Sequence, residues 1–165
     1  MKLNEKIQDA LNKQINAELY SAYLYLSIAA YFESKNLKGF AQWMKVQSNE
    51  EYSHAMKIYS YLHERGGMVT LTTIPGPETI WSSPLKAFED AYSHEVEVTA
   101  MIDKLVSLAR MENDYATESM LTWFVDEQVE EEASTSEIVQ KMRLLKDAPT
   151  NLLFLDHELG KRKKE

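Results

Sequence analysis

Apolar side chains recur at spacings of three and four over four long stretches of the chain, the period of a helix that buries one face. The first inward stripe reads Leu11, Ile15, Glu18, Ala22, Tyr25, Ala29, Phe32, and the second Phe40, Met44, Gln47, Glu51, His54, Ile58, Tyr61. The third reads Phe88, Tyr92, Glu95, Thr99, Ile102, Val106, and the fourth Leu121, Phe124, Gln128, Glu131, Thr135, Ile138, Met142, Leu145. Chain breakers fall between the stripes. Gly39 stands alone, Gly66-Gly67 opens a region completed by Pro75, Gly76, Pro77 and Pro84, and Pro149 comes near the end. These marks predict helices over about 4–34, 40–65, 84–112 and 115–146, with Ser83 capping the third and Pro84 in its first turn. A short fifth helix should follow Pro149, capped by Thr150 or Asn151 and ending at Gly160. The charged tail GKRKKE should fray.

At 1.5 Å per residue, a thirty-residue helix is roughly 45 Å long. Short connections make each successive pair an antiparallel hairpin. Residues 66–83 have enough reach, at about 3.3 Å per residue, to travel the length of the bundle. The second hairpin then starts where the first one started. The expectation is an all-α fold, one domain over 1–165: a four-helix bundle with one long crossover and a short fifth C-terminal helix.

Every stripe carries a glutamate near its middle, and the second adds a histidine three residues later. A buried carboxylate without a partner costs several kcal/mol even after relaxation. Three things can offset it: a basic partner, protonation at a raised pKa, or a multivalent cation. No Lys or Arg lies on the four stripes near the glutamates. Carboxylates with one imidazole suit iron or manganese and tolerate zinc, whereas an all-oxygen set would point to calcium or magnesium. Glu51-x-x-His54 places two ligands on one helical face. Alone this spacing is weak; among three other glutamate-bearing stripes it is strong.

Composition narrows the chemistry further. There is no cysteine, which excludes disulfides, thiolate zinc, a cysteine nucleophile and cysteine-ligated iron–sulfur clusters. A net charge of −8 repels nucleic-acid phosphates, so no nucleic-acid partner is expected. The N-terminal MKLNEKIQDALNKQ has no signal-peptide core, and no stretch approaches the roughly 18 apolar residues of a membrane span. A cytoplasmic location and no membrane partner are the expectation.

Four segments carry a resemblance over essentially the whole chain: NAELYSAYLYLSIAAYF at 16–32, SNEEYSHAMKIYSYLHERGG at 48–67, AFEDAYSHE at 87–95 and LTWFVDEQVEEE at 121–132. The chain resembles the non-haem ferritins of bacteria and archaea. The resemblance implies a ferritin-like four-helix bundle and an iron-storage protein with ferroxidase activity. It implies that Glu18, Glu51 and His54 hold a first iron, and that Glu51, Glu95 and Glu131 hold a second, Glu51 bridging. Gln128 matches a glutamine near the second iron, and Tyr25 a tyrosine beside the dimetal centre. Trp123 matches a neighbouring aromatic, and Glu50, Glu127 and Glu130 a third iron site. It further implies a homo-oligomeric hollow shell of about 24 copies, supplied with Fe(II) and with dioxygen or hydrogen peroxide. The apolar LLFLDHEL of the fifth helix needs a partner such as symmetry mates.

Departures from relatives also inform. Haem-containing bacterioferritins repeat the ExxH pattern on the fourth helix and place methionine after the bridging glutamate. Here those positions are Ser134 and Tyr52, so haem is not expected. Rubrerythrins add cysteine-ligated iron, which this chain lacks the residues for.

The expected chemistry is oxidation of two Fe(II) at the paired site, with Tyr25 hydrogen-bonding a ligand or supplying an electron. Read without the resemblance, Glu50, Glu127 and Glu130 form a solvated acidic face. His63, His94 and His157 are expected in surface or capping roles. Two rivals stand beside storage. One is a di-iron or di-manganese oxygenase or peroxide scavenger, which needs an apolar cavity beside the metals. The other is a metal-free bundle whose glutamates stay protonated.

Overall fold

The computed structural model describes residues 2–145 and 148–163. Five helices follow in order: α1 Glu5–Ser34, α2 Lys38–Glu64, α3 Pro84–Met111, α4 Tyr115–Leu144 and α5 Pro149–Leu159, with no strand among the described residues. The fold is the expected all-α, ferritin-like four-helix bundle with a short fifth helix. The expected end of the fourth helix at Lys146, and the last two residues of the tail, lie outside the described residues.

Helix starts follow their side chains. Asn4 accepts from the Lys6 amide, Ser83 from the Lys86 amide with Pro84 in the first turn, and Asp114 from the Thr117 amide. Three helix ends share one closure. Asn36, Gly66 and Asn113 take positive φ, and the next residue's amide reaches back to Phe32, Leu62 and Ala109 respectively. This reversal satisfies end carbonyls and turns the chain sharply.

Two boundaries differ from expectation. Helix α2 begins at Lys38, so Gly39 lies inside its first turn. A Cβ on Gly39 would sit 1.7 Å from the Asp156 carbonyl oxygen, which is why glycine stands there. Asp156 Oδ1 accepts from the Phe40 amide at 2.9 Å, so α5 supplies the cap that α2 does not make for itself. Helix α5 starts at Pro149 behind Ala148; Thr150 and Asn151 are within the helix and do not cap it.

The crossover is stitched along α1. Asn12 binds the backbone of Met68 and Thr70, Asn16 binds Thr72, and Ser27 donates to the Glu78 carbonyl. These contacts climb α1 in the same direction as the loop advances, the crossover that places the second hairpin beside the first.

The core has two parts. One end packs Leu11, Ile15, Ile58, Leu62, Ile102, Leu121 and Phe124. The other packs Phe32, Phe40 and Phe88, with ring centroids 5.2–5.5 Å apart. A polar layer separates them, made of Glu18, Gln47, Glu51, His54, Glu95, Gln128 and Glu131, all buried. Of the expected inward residues only Ala22, Tyr61, Tyr92, Thr99, Val106 and Leu145 are part-exposed. No helix among the described residues is long and apolar enough to cross a membrane.

Candidate metal centre

Each of the four long helices brings one glutamate to the same depth. The ligand atoms of Glu18, Glu51 and His54 lie within 4.8 Å of one another, and so do those of Glu51, Glu95 and Glu131. Glu51 belongs to both groups. The first trio comes wholly from α1 and α2; the second draws on α2, α3 and α4.

Protein groups satisfy only part of these side chains. Gln14 donates to Glu18 Oε1 at 2.9 Å, and Gln47 donates to Glu51 Oε1 at 2.8 Å and to Glu131 Oε2 at 2.7 Å. Tyr25 donates to Glu95 Oε1, and Gln128 donates to Glu95 Oε2 at 3.2 Å. Glu18 Oε2 and His54 Nδ1 have no hydrogen-bond partner, and His54 Nδ1 stands 3.2 Å from Glu51 Oε2 and 3.8 Å from Glu18 Oε2. Buried polar atoms are normally paired. Unpartnered acceptors converging on one point fit a cation, and carboxylate with imidazole fits iron. No Lys or Arg pairs with any of the four glutamates among the described ion pairs.

Electrostatics lead to the same need. Burial first, and then the neighbouring Glu51, hold Glu18 well above the ordinary carboxyl range. Burial, Glu95 and Glu131 do the same to Glu51. Burial raises Glu95 against the opposing hydrogen bonds from Tyr25 and Gln128. Burial and then Glu95 push Glu131 up to about 8. Without metal, the layer retains protons that a pair of divalent ions would replace. Burial and the Glu95 charge also raise the Tyr25 phenol well above 10, so it donates its proton in a hydrogen bond.

The residues expected at a third site are not brought together. Glu127 approaches, its Oε1 lying 3.7 Å from His54 Nε2 and grouping with His54 and Glu131. Glu50 is held by Arg162 at 2.8 Å, and Glu130 is exposed outside the ligand groups. Glu50 and Glu127 do line one cleft of about 470 Å³, together with Asn49, Ser53, His54 and Trp123. Trp123 meets His54 edge-on at 5.3 Å, and Lys57 lies 4.1 Å over its ring.

Gln14 and Gln47 had no assigned role in the sequence. The signal was present: each stands four residues before a buried glutamate, one helical turn away. His94 is half-buried, more enclosed than a surface role would need. It packs edge-on against Tyr20 and Tyr25, its Nε2 is 2.7 Å from Ser21 Oγ, and burial lowers its pKa to about 4.

A family model for the ferritin-like domain matches residues 8–145. A bacterial non-heme ferritin of Bacteroides fragilis is 44% identical over 160 residues, covering 97% of this chain and 99% of its own. One from Staphylococcus saprophyticus is 41% identical, covering 97% and 96%. An open pore ferritin from the hyperthermophilic archaeon Archaeoglobus fulgidus superposes with a TM-score of 0.97 at 55% identity, covering 98% of each chain.

Proposed function

From the premise that this chain belongs to the ferritin family, a family of iron-storage proteins, we propose that it oxidises ferrous iron at the dinuclear carboxylate centre and stores the ferric product inside a hollow homo-oligomeric shell of about 24 copies. The observation that carries this reading is the pair of ligand groups sharing Glu51, with Glu18 Oε2 and His54 Nδ1 left unpartnered toward one of them.

Iron is substrate here. Glu18, Glu51 and His54 would receive one Fe(II), and Glu51, Glu95 and Glu131 the other. Hard anionic oxygens favour Fe(III) over Fe(II), because the higher charge gains more from them; that lowers the reduction potential and drives oxidation. Two ferrous ions give up two electrons together. Dioxygen taking them with two protons leaves as hydrogen peroxide; hydrogen peroxide taking them with two protons leaves as water. Gln47 and Gln128 orient the carboxylates, and Tyr25 fixes Glu95 by its hydrogen bond. Glu50, Glu127 and Glu130 would form a third site that takes iron on from the centre. With Tyr52 and Ser134 at the positions haem-binding relatives use, the reading is of a non-haem protein working in the cytoplasm.

The cleft beside the centre mixes the apolar Val46 and Trp123 with Asn49, Glu50, Ser53, His54 and Glu127, and its two carboxylates support passage of cations. The test is Fe(II) added in air to purified protein. A ferric absorption band should rise rapidly, on a particle eluting as a very large assembly. Glu51→Ala should keep the particle and lose fast oxidation, since Glu51 serves both metals. An unchanged rate would refute the site, and elution as a small oligomer would refute storage.

A further inference from the structure

Beyond α5 the chain turns back over α2. Asp156 caps α2, and a Cβ on Gly160 would meet the Gly39 Cα at 3.0 Å, so the two helices touch where the tail begins. Two residues later Arg162 lies 4.3 Å over the Trp43 ring and donates to the Trp43 carbonyl at 3.4 Å. Its other arm donates to Glu50 Oε2 at 2.8 Å. Trp43 and Glu50 are seven residues apart on one face of α2, so a single planar guanidinium spans both.

We propose that Arg162 is a tethered counter-ion for Glu50, which a third divalent cation must displace to bind beside the dinuclear centre. This rests on the reading of Glu50, Glu127 and Glu130 as a third site. Glu50 lines the same cleft as Glu127 and His54, yet its carboxylate is committed to the tail. The pair is about three-quarters buried at both side chains, so it is still open to exchange with solvent. A divalent cation brings twice the charge and direct ligation, and it displaces the guanidinium without any change in the two inner sites. Arg162 therefore sets the order of filling: the dinuclear centre first, the outer carboxylate afterwards.

The test is calorimetric titration of the metal-free, assembled protein with Zn(II), which has the charge of Fe(II) and no redox chemistry. The parent should bind two equivalents tightly and a third more weakly. In Arg162→Gln the third equivalent should tighten about threefold to tenfold, the worth of a part-exposed ion pair with a stacked guanidinium, while the first two stay as they were. Arg162→Lys, which keeps the charge but loses the fork and the flat stack, should fall between. Glu50→Gln should weaken the third equivalent in either background. A third equivalent unaltered by Arg162→Gln yet weakened by Glu50→Gln overturns the counter-ion and leaves the third site standing. A third equivalent indifferent to Glu50→Gln overturns the third site itself, and the counter-ion with it.

Discussion

Freed of metal, the protein should lose stability as the solution turns alkaline, and Glu131 sets a calculable part of that loss. Burial and Glu95 lift its pKa from 4.5 to about 8. The unfolded chain sheds this proton near 4.5, whereas the folded chain keeps it to about 8. Across that window the folded state binds more protons, so raising the pH favours unfolding. His94 acts oppositely. Its pKa falls from 6.5 to about 4, so between those values the unfolded chain holds the extra proton and stability rises with pH. Between about 4.5 and 6.5 the two slopes offset; above 6.5 the His94 slope is gone, and Glu18, Glu51 and Glu95, also raised, act in the same direction as Glu131. Each pH unit is worth about 1.4 kcal/mol per proton. From pH 6.5 to 8, Glu131 alone therefore costs about 2 kcal/mol per subunit, or about 4–8 °C in Tm for a chain of this size. The assay is thermal unfolding of chelator-treated protein across pH 5–9 at one fixed protein concentration, since assembly links Tm to concentration. Glu131→Gln should remove about 2 kcal/mol of the alkaline decline. The same decline in parent and variant would refute the reasoning, as would a parent whose Tm holds or rises above pH 6.5.

Other perturbations follow from the packing. Gln47→Leu removes the donor shared by Glu51 and Glu131; Zn(II) affinity at the dinuclear centre should drop by about tenfold, measured by competition with a chelating dye, and an unchanged affinity would deny Gln47 any orienting role. Arg65→Ala breaks a bidentate pair with Asp114, which also caps α4, and should cost about 2–3 kcal/mol in urea unfolding. A loss under about 0.5 kcal/mol would reduce that pair to an ordinary surface contact. Gly39→Ala puts a methyl into the Asp156 carbonyl and should displace α5, read as faster amide exchange at Phe40 and along α5 with α1 and α3 unaffected.

Much of this was readable from spacing. The helix end at Gly66 was visible because glycine accepts positive φ, and the glutamate layer because four charged residues interrupted apolar stripes at one depth. What escaped was set by contacts between distant segments. Thr150 and Asn151 looked like caps, but Pro149 already occupies the first turn and forces the helix to begin earlier. Gly39 looked like a boundary, whereas it marks the place where α5 presses on α2. Arg162 and Glu50 are more than a hundred positions apart, and no local pattern joins a frayed-looking tail to a ligand-like carboxylate. His94 sits one residue from Glu95, and only the crossing of α1 and α3 encloses it.

The division of the centre between hairpins has a consequence for biosynthesis. Glu18, Glu51 and His54 all belong to α1 and α2, the half of the bundle the ribosome delivers first. The second group waits for Glu95 and Glu131. At about 5–20 residues per second, roughly 4–15 s separate the making of His54 from that of Glu131. During that interval the nascent chain carries the first candidate ligand group, Glu51 included, without the partners of the second. On the proposed function, oxidation that needs both irons has to wait until the last long helix has been made, because Glu131 completes the second group.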